Sequence, residues 1–396
     1  MQDPPYPWKF VPSPLLANRH LQTFLGIHWP RNDARYQAIQ HQVVLDDGDR
    51  IVLHEDAPIA GDESAPNALL SAPKALLSAP SVLLIHGLAG CYKSTYMCRM
   101  ADRLVEHGYR VFRMDMRGCG AGEGLAKLPS HCGRSTDSAA ALRHIAEIYP
   151  DSETSIVAYS MGGTITMNML AEAGEMPIGN LQRSFVICPP IELAHVERHF
   201  RRSWGRLYDR FFVRLLWKQI THRWRLFPET APSQIPGRPQ RLREIDELVI
   251  APSGGFDSAE DYYEQTSPGP KLVSVRQPLT IFFSEDDPIV PIDPLFKYPR
   301  SSSVDVITTP RGGHLGFLAR AGSDPNFRWL DWRIIDWLKQ AKPKDESDKR
   351  SFKTHSSEPQ RPGPPHIQSN GQSNGQSKTQ STTQPFGEPR TTEPAR

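Results

Sequence analysis

Residues 156–163 read Ile-Val-Ala-Tyr-Ser-Met-Gly-Gly, a signature of a strand, a sharp turn and a helix. The pattern predicts a buried strand that runs into Ser160, and a helix that leaves it. Strand and helix approach closely at such a turn, so the residues two before and two after the serine must be small. Ala158 and Gly162 meet this requirement, although glycine is usual at both places. The stretch therefore predicts a nucleophilic serine on a strained turn, with a plain helix N-cap as the alternative.

Short apolar runs alternate with helical periodicity on both sides of this turn. Strict alternation predicts a mostly parallel, twisted sheet with helices on both faces, which is the α/β class. Together with the serine turn, it predicts an α/β-hydrolase fold. A hairpin is expected over 36–55, and the remaining strands are predicted, in chain order, at 82–85, 110–116, 155–159, 185–188, 279–283 and 304–308.

The alternation also divides the chain into parts. Residues 36–190 and 266–342 are predicted to form the hydrolase core. Within the first part, 57–80 contains Ala-Leu-Leu-Ser-Ala-Pro twice and is read as a surface insertion, because proline blocks regular strand pairing. Residues 191–265 break the alternation, and their aromatic, basic and helical character predicts a helical cap, or lid, inserted before the late strands.

The two ends of the chain differ from the core in composition. Residues 1–35 are rich in proline and are predicted to be an irregular segment packing on the core. Residues 343–396 are rich in Ser, Gln, Asn, Pro and Gly, which predicts a disordered tail. The start has no signal-peptide pattern, and no run of about 18 apolar residues is present. Five cysteines without a Cys-x-x-Cys pair suit a reducing compartment, so a cytoplasmic location is expected.

Residues 85–88 read Ile-His-Gly-Leu and close the first buried strand. In this fold the oxyanion of the tetrahedral intermediate is bound by two backbone N–H groups. The N–H groups of Leu88 and Met161 are predicted to form this oxyanion hole, and Gly87 lets the backbone approach the substrate. His86 is interpreted as a structural residue, because a histidine before the nucleophile breaks the expected order of serine, acid and histidine.

The acid and the base are expected after late strands. Two aspartates compete in Phe-Ser-Glu-Asp-Asp-Pro-Ile-Val-Pro at 283–291, and the spacing to the flanking serine and valine favours Asp287 over Asp286. An Asx-turn before the proline is the alternative role for whichever aspartate is not the acid. His314 follows the last strand among glycines, where the chain order requires the base. It would take a proton from Ser160 and pass it to the leaving group.

The N-terminal stretch 18–23 reads Asn-Arg-His-Leu-Gln-Thr and resembles the Asn-x-His-x-Gln-Thr signature of the YheT-like AB hydrolase 4 family. Residues 116–122 and 131–137 are also similar to segments of this family, and the resemblance covers roughly 8–340. It implies carboxylesterase activity or acylglycerol or phospholipid lipase activity, with Ser160, Asp287 and His314 as the triad. Ala158 is a departure from the usual pattern.

The predicted cap is strongly basic, although the whole chain has a net charge of only +2. Residues 195–243 contain twelve Lys and Arg against three acids, including four cations at i+4 spacing: Arg206, Arg210, Arg214 and Lys218. The plain interpretation is an amphipathic lid helix with a solvated basic side. The sharper one is a peripheral contact with an anionic membrane. Near-neutral overall charge does not indicate a nucleic-acid partner, and no obligate protein partner is evident.

These features predict a serine hydrolase that cleaves carboxylic esters, of short-chain or lipid and acylglycerol type, through an acyl-enzyme on Ser160. The mechanism requires no cofactor and no metal. An acyltransferase or a cofactor-free haloperoxidase would use the same triad, and a non-catalytic binding protein of the same fold is a further alternative.

Overall fold

The computed structural model describes residues 8–29, 38–58, 77–202, 204–233, 237–320 and 322–340. Eight strands within these ranges form one sheet in the order β1-β2-β4-β3-β5-β6-β7-β8. The strands are β1 (Ile39–Val44), β2 (Arg50–Asp56), β3 (Ser81–Ile85), β4 (Arg110–Asp115), β5 (Thr154–Tyr159), β6 (Leu181–Ile187), β7 (Leu279–Ser284) and β8 (Val304–Thr309). The predicted disordered tail and most of the predicted insertion at 57–80 lie outside the described residues.

The pairing of the strands makes the sheet mixed but mostly parallel. β1 pairs with β2, and β2 with β4, in antiparallel register. The other pairs of the sheet are parallel, namely β4 with β3, β3 with β5, β5 with β6, β6 with β7 and β7 with β8. Every residue of β3, β4 and β7 is buried, so both faces of the central sheet are covered. The prediction of an α/β-hydrolase fold is confirmed.

Helices connect most of the strands, and several of them lie in the long segment between β6 and β7. The α-helices are α1 (Arg19–His28), α2 (Thr95–Glu106), α3 (Ser135–Ile148), α4 (Met161–Ala173), α5 (Leu193–Phe200), α6 (Gly205–Leu226), α7 (Leu242–Ile245), α8 (Ala251–Gly254), α9 (Ala259–Thr266), α10 (Asp293–Lys297) and α11 (Trp329–Lys339). A π-helical turn, Asp246–Ile250, joins α7 to α8. Helices α5 to α8 lie in 191–265, the stretch expected to form the cap, and α9 ends one residue beyond it. None of the described helices is long and apolar enough to cross a membrane.

The prediction of an irregular N-terminal segment was wrong for ten residues. Helix α1 occupies Arg19–His28, where the side chain of Asn18 accepts hydrogen bonds from the backbone N–H groups of His20 and Leu21. An asparagine in this position is a strong N-cap, because it satisfies N–H groups that have no partner within the helix. The prolines before residue 18 obscured this local signal. Gln22 and Gly26, on the inner side of the helix, are buried against the rest of the molecule.

Candidate active site

Ser160 lies between β5 and α4 on a strained backbone, with φ 51° and ψ −120°. A non-glycine residue with positive φ is uncommon and is held there by its surroundings. A Cβ atom at Gly162 would lie 2.6 Å from the backbone oxygen of His86, so glycine is required at that position. Ala158 is fully buried and pairs with Ile85 in the neighbouring strand. A single methyl group therefore fits two residues before the serine, where the usual pattern has glycine.

Asp287 and His314 form a buried pair. His314 Nδ1 lies 2.7 Å from Asp287 Oδ2. The other carboxylate oxygen, Oδ1, accepts hydrogen bonds from the N–H groups of Ile289 at 2.8 Å and Val290 at 2.9 Å. Three donors thus surround one carboxylate, which fixes its orientation and that of the imidazole ring.

Asp286 has a different environment from its neighbour. Its Oδ1 atom accepts hydrogen bonds from the Ser284 hydroxyl at 2.6 Å and from the Gly313 backbone at 2.9 Å. The carboxylate therefore ties the loop after β7 to the loop that carries His314. Of the two competing aspartates, the structure places Asp287 against the imidazole and Asp286 against the loop backbone.

The N-terminal helix holds the His314 loop through two side chains. Thr23 Oγ1 accepts a hydrogen bond from the backbone N–H of His314 at 2.8 Å. Gln22 is fully buried and clamps the backbone of Leu318: Oε1 accepts from its N–H at 2.7 Å, and Nε2 donates to its oxygen at 3.0 Å. Because the amide oxygen and the amide nitrogen of this buried side chain both form hydrogen bonds, the contact is specific in its geometry, unlike a general apolar contact.

Close packing of α1 against this loop depends on glycines. A Cβ atom at Gly316 would lie 2.5 Å from the backbone oxygen of Gln22, and one at Gly26 would lie 2.4 Å from the Cα of Gly316. Gly313 also has φ +61° and would place a Cβ 2.5 Å from the backbone oxygen of Arg19. The glycines around His314 therefore let the helix backbone and the loop backbone touch.

The role of the N-terminal motif in positioning His314 was missed from the sequence, although the motif itself carried the family resemblance. Asn18 starts α1, and Gln22 and Thr23 fasten it to the His314 loop. His20 faces the other way, with its Nδ1 atom 2.9 Å from the hydroxyl of Tyr208 on α6. Four of the motif residues thus connect the loop that carries the candidate base to the expected cap.

Ser160 and His314 both line a cavity of about 1190 Å³. Asp287 lies behind the imidazole and does not line it. Apolar side chains from α1 and α6 form much of the outer wall, namely Phe24, Ile27, Leu207, Phe211, Phe212 and Leu215. The volume exceeds the roughly 300–1,000 Å³ of a usual small-molecule pocket.

Ser160 also lines a second, smaller cavity of about 120 Å³. Leu88 and Met161, whose backbone N–H groups are the predicted oxyanion donors, line it together with the serine. Met161 is the first residue of α4, so its N–H has no acceptor within the helix and is available to an anion. A Cβ at Gly87 would lie 3.2 Å from the Ser160 Cβ, which agrees with the expected close backbone approach.

His86 is bonded entirely to backbone. Its Nε2 atom accepts from the N–H of Met116 at 3.3 Å, and Nδ1 then donates to the oxygen of Gly87 at 2.7 Å. Full burial lowers the pKa of His86, so the ring is neutral. These bonds fit the structural role expected for this residue.

The smaller cavity also contains a buried acid from the stretch before β7. Asp246 accepts a hydrogen bond from the Tyr263 hydroxyl at 2.6 Å. Burial raises the pKa of Asp246 to about 7, although the Tyr263 hydrogen bond lowers it. The nearby charges of Asp209 and Glu197 act in the same direction as burial, and the charge of Arg243 opposes them. The carboxyl is therefore largely protonated below neutral pH. Sequence reasoning did not identify this residue, because an aspartate in a basic, polar stretch gives no signal of burial.

One group among the described residues has metal-ligand spacing: Cys188, Asp287 and His314 have ligand atoms within 4.8 Å of one another. A metal ligand must be a thiolate, whereas burial and then the Asp287 charge raise the pKa of the Cys188 thiol well above its usual range. The protonated thiol is a poor ligand. The same Asp287 carboxylate already bonds the imidazole, so the chemistry of this donor set suits an acid–histidine pair better than a metal.

Comparisons with known proteins agree with the fold. The family described as alpha/beta hydrolase fold matches residues 80–321. The chain is 28% identical to the protein named "Putative esterase YheT" of Escherichia coli (strain K12) over 335 residues, which is 83% of this chain and 93% of that protein. It is 26% identical to Phospholipase ABHD3 of Homo sapiens over 239 residues, covering 60% of this chain and 58% of the relative.

Among solved structures, Est1E from Butyrivibrio proteoclasticus aligns with a TM-score of 0.46 and 14% identity, over 76% of this chain and 98% of Est1E. The family match covers more than half of the chain, and the YheT relative covers most of it. The chain therefore belongs to the α/β-hydrolase fold family, and its predicted resemblance to YheT-like AB hydrolase 4 proteins is confirmed.

Proposed function

We propose that this protein is a serine hydrolase that cleaves carboxylic esters through an acyl-enzyme on Ser160. The observation that carries the proposal is the 2.7 Å bond between Asp287 and His314, which lies at the wall of a cavity that Ser160 also lines. Relatives named as a putative esterase and as a phospholipase support an esterase-like or phospholipase-like hydrolase.

The proposed reaction follows from the groups at the site. Asp287 holds the Nδ1–H tautomer of His314, so Nε2 is free to take the proton from the Ser160 hydroxyl. The Ser160 oxygen attacks the ester carbonyl, and the resulting oxyanion is bound by the N–H groups of Leu88 and Met161. His314 then protonates the leaving alcohol, and water releases the acid from the acyl-enzyme by the same steps in reverse.

The larger cavity favours an ester with a bulky apolar part. It holds about 1190 Å³, and its outer wall is made of aliphatic and aromatic side chains from α1 and α6. A short acetate ester would leave most of this surface in contact with water, whereas a lipid ester would cover it. One relative is named a phospholipase. We therefore propose acylglycerol or phospholipid esters as the substrate class.

Hydrolysis of a series of soluble and lipid esters, followed by product analysis, tests the proposal. Ser160→Ala should abolish release of acid, and Ser130→Ala, which alters another serine of the smaller cavity, should not. A competing alcohol separates hydrolysis from acyl transfer, because a transferase gives mainly the new ester. Undiminished turnover by Ser160→Ala would contradict the mechanism.

A cytoplasmic location stays a prediction. All five cysteines are free thiols, which is compatible with a reducing compartment.

A further inference from the structure

Large apolar side chains surround the opening of the larger cavity and are exposed to solvent. The exposed fraction is 62% for Phe24 on α1, and 54% and 46% for Leu207 and Phe211 on α6. Trp204, just before α6, is 56% exposed and lines the same cavity. Single exposed apolar residues are ordinary, but a cluster around a cavity opening marks a contact with another apolar phase.

Cations share the exposed face of α6 with these apolar side chains. Arg210, Arg214 and Lys218 are exposed. At 3.6 residues per turn they fall, together with Leu207 and Phe211, within an arc of about 100° on the helix. Mixed apolar and basic residues on one face do not pack into a protein core, where the cations would lose their water.

The charge on this face is not neutralised within the described part of the chain. No described carboxylate forms an ion pair with Arg210, Arg214 or Lys218, whereas cations outside this face, such as Arg201 and Arg243, pair with Glu197 and Glu260. The acid of α6 itself, Asp209, is buried and accepts a bond from the Leu242 backbone, so it does not offset the exposed cations.

We propose that a docking face, formed by Phe24, Trp204, Leu207 and Phe211 with Arg210, Arg214 and Lys218, binds membranes that carry anionic lipid head groups. The apolar members would enter the boundary between head groups and acyl chains, and the cations would lie at the head groups. The cavity opening then faces the bilayer. The role of the face in feeding esters to Ser160 rests on the proposed function, but the binding itself does not.

The basic and the apolar side chains of the docking face should both contribute to the affinity for membranes. Each basic residue close to an anionic surface contributes about a fivefold gain in partitioning, and this gain falls as salt screens the charges. Aromatic and aliphatic side chains add an apolar contribution that salt does not weaken. Binding should therefore be strong on anionic vesicles at low salt, weak on neutral vesicles, and reduced but not abolished at high salt.

The test measures cosedimentation with vesicles, and it uses Ser160→Ala protein so that no lipid is consumed. One set of vesicles is phosphatidylcholine alone, and the other is equal parts phosphatidylcholine and phosphatidylglycerol. The combination Arg210→Gln with Arg214→Gln should weaken binding to the anionic set by about 25-fold. The control, Arg143→Gln with Lys339→Gln, removes two exposed cations from α3 and α11 and should leave binding unchanged.

A second variant tests the apolar part. Phe211→Ser should lower binding to anionic vesicles and leave the dependence on salt intact. Equal binding of the wild-type face to neutral and anionic vesicles, or equal loss from the control pair, would overturn the proposal. So would absence of vesicle binding together with a dimer that Phe211→Ser dissociates, since a second copy would then cover the face.

Failure of the docking proposal is distinguishable from failure of the proposed function. Arg210 and Arg214 do not line the cavity, so the double Gln variant should hydrolyse a short soluble ester at the wild-type rate. Its loss of activity should be confined to esters embedded in anionic vesicles. Binding to vesicles without any Ser160-dependent hydrolysis would leave the docking face intact and contradict only the function.

Discussion

The hydroxyl of Thr23 accepts a hydrogen bond from the backbone N–H of His314, and so joins the first helix to the last loop of the candidate site. The same hydroxyl donates its proton to the backbone oxygen of Arg19, one turn earlier in α1, at 2.8 Å, which fixes the orientation in which it accepts from the loop. The N-terminal helix thus fastens a loop near the C-terminal end of the core, and residues of the Asn-x-His-x-Gln-Thr motif position the candidate base.

We expect Thr23→Val to lower kcat by about tenfold, because a buried N–H left without an acceptor costs about 1–3 kcal/mol and the His314 loop relaxes to recover it. KM for a short soluble ester should change less than kcat because Thr23, although it lines the larger cavity, acts through the position of His314. Steady-state kinetics separate the two constants. Thr23→Ser keeps the acceptor and should retain most of the activity. Equal loss in both variants would contradict a role for this hydrogen bond.

Replacing each of the two neighbouring aspartates should lower kcat by very different factors. Asp287→Asn removes the charge that stabilises the imidazolium and favours the wrong tautomer, so kcat should fall by about 10³–10⁴-fold. Asp286→Asn removes only bonds that tie the loop backbone, and about a tenfold loss is expected. The two variants are compared by their rates on the same ester, and circular dichroism checks that each is folded. A larger loss at Asp286 would show that the acid has been assigned to the wrong residue.

Gly316 should be intolerant of a side chain, because its Cβ would meet the backbone of α1. Gly316→Ala is expected to lower the free energy of unfolding by about 1–3 kcal/mol, which is the usual cost of overpacking. Gly237 has open space around the corresponding position, so Gly237→Ala is the matched control and should be close to neutral. Chemical denaturation measures both. Equal stability of the two variants would show that α1 does not pack closely on this loop.

The buried carboxyl of Asp246 should make stability depend on pH. Burial raises the pKa of Asp246 to about 7, from an ordinary value of 3.8, so the folded state keeps a proton that the unfolded state has released. The free energy of unfolding should therefore fall as pH rises between these values, by about 1.4 kcal/mol per pH unit from this group. Asp246→Asn should remove this part of the slope. A variant with the same slope as the wild type would contradict the raised pKa.

The sequence predicts features that depend on consecutive residues better than contacts between residues that are far apart in the chain. Ser160 could be predicted because a strand, a tight turn and a helix lie consecutively in the chain. Asp286 and Asp287 could not be separated with the same assurance, because their distinction depends on which carboxylate meets an imidazole 27 or 28 residues later in the sequence.

The N-terminal helix illustrates the same limit. Asn18 is a recognisable cap, but the burial of Gln22 depends on Leu318, some 300 residues away, and no local pattern reports such a contact. Asp246 was overlooked for a similar reason, since its burial arises from the packing of several short helices. Ser160 could be predicted from its neighbours in the chain, and His314 from its place in the chain order. The contacts that bury Gln22 and Asp246 have no such signal and required the structure.

Reaction with a fluorophosphonate probe, followed by mass spectrometry of the labelled peptide, tests whether Ser160 is the nucleophile. We expect one adduct on Ser160 in the wild-type protein and no labelling of Ser160→Ala. Labelling should also be slowed in His314→Ala, because the serine then lacks its base. Failure of the folded wild-type protein to react, or an adduct on another serine, would contradict the assignment of Ser160 as the nucleophile.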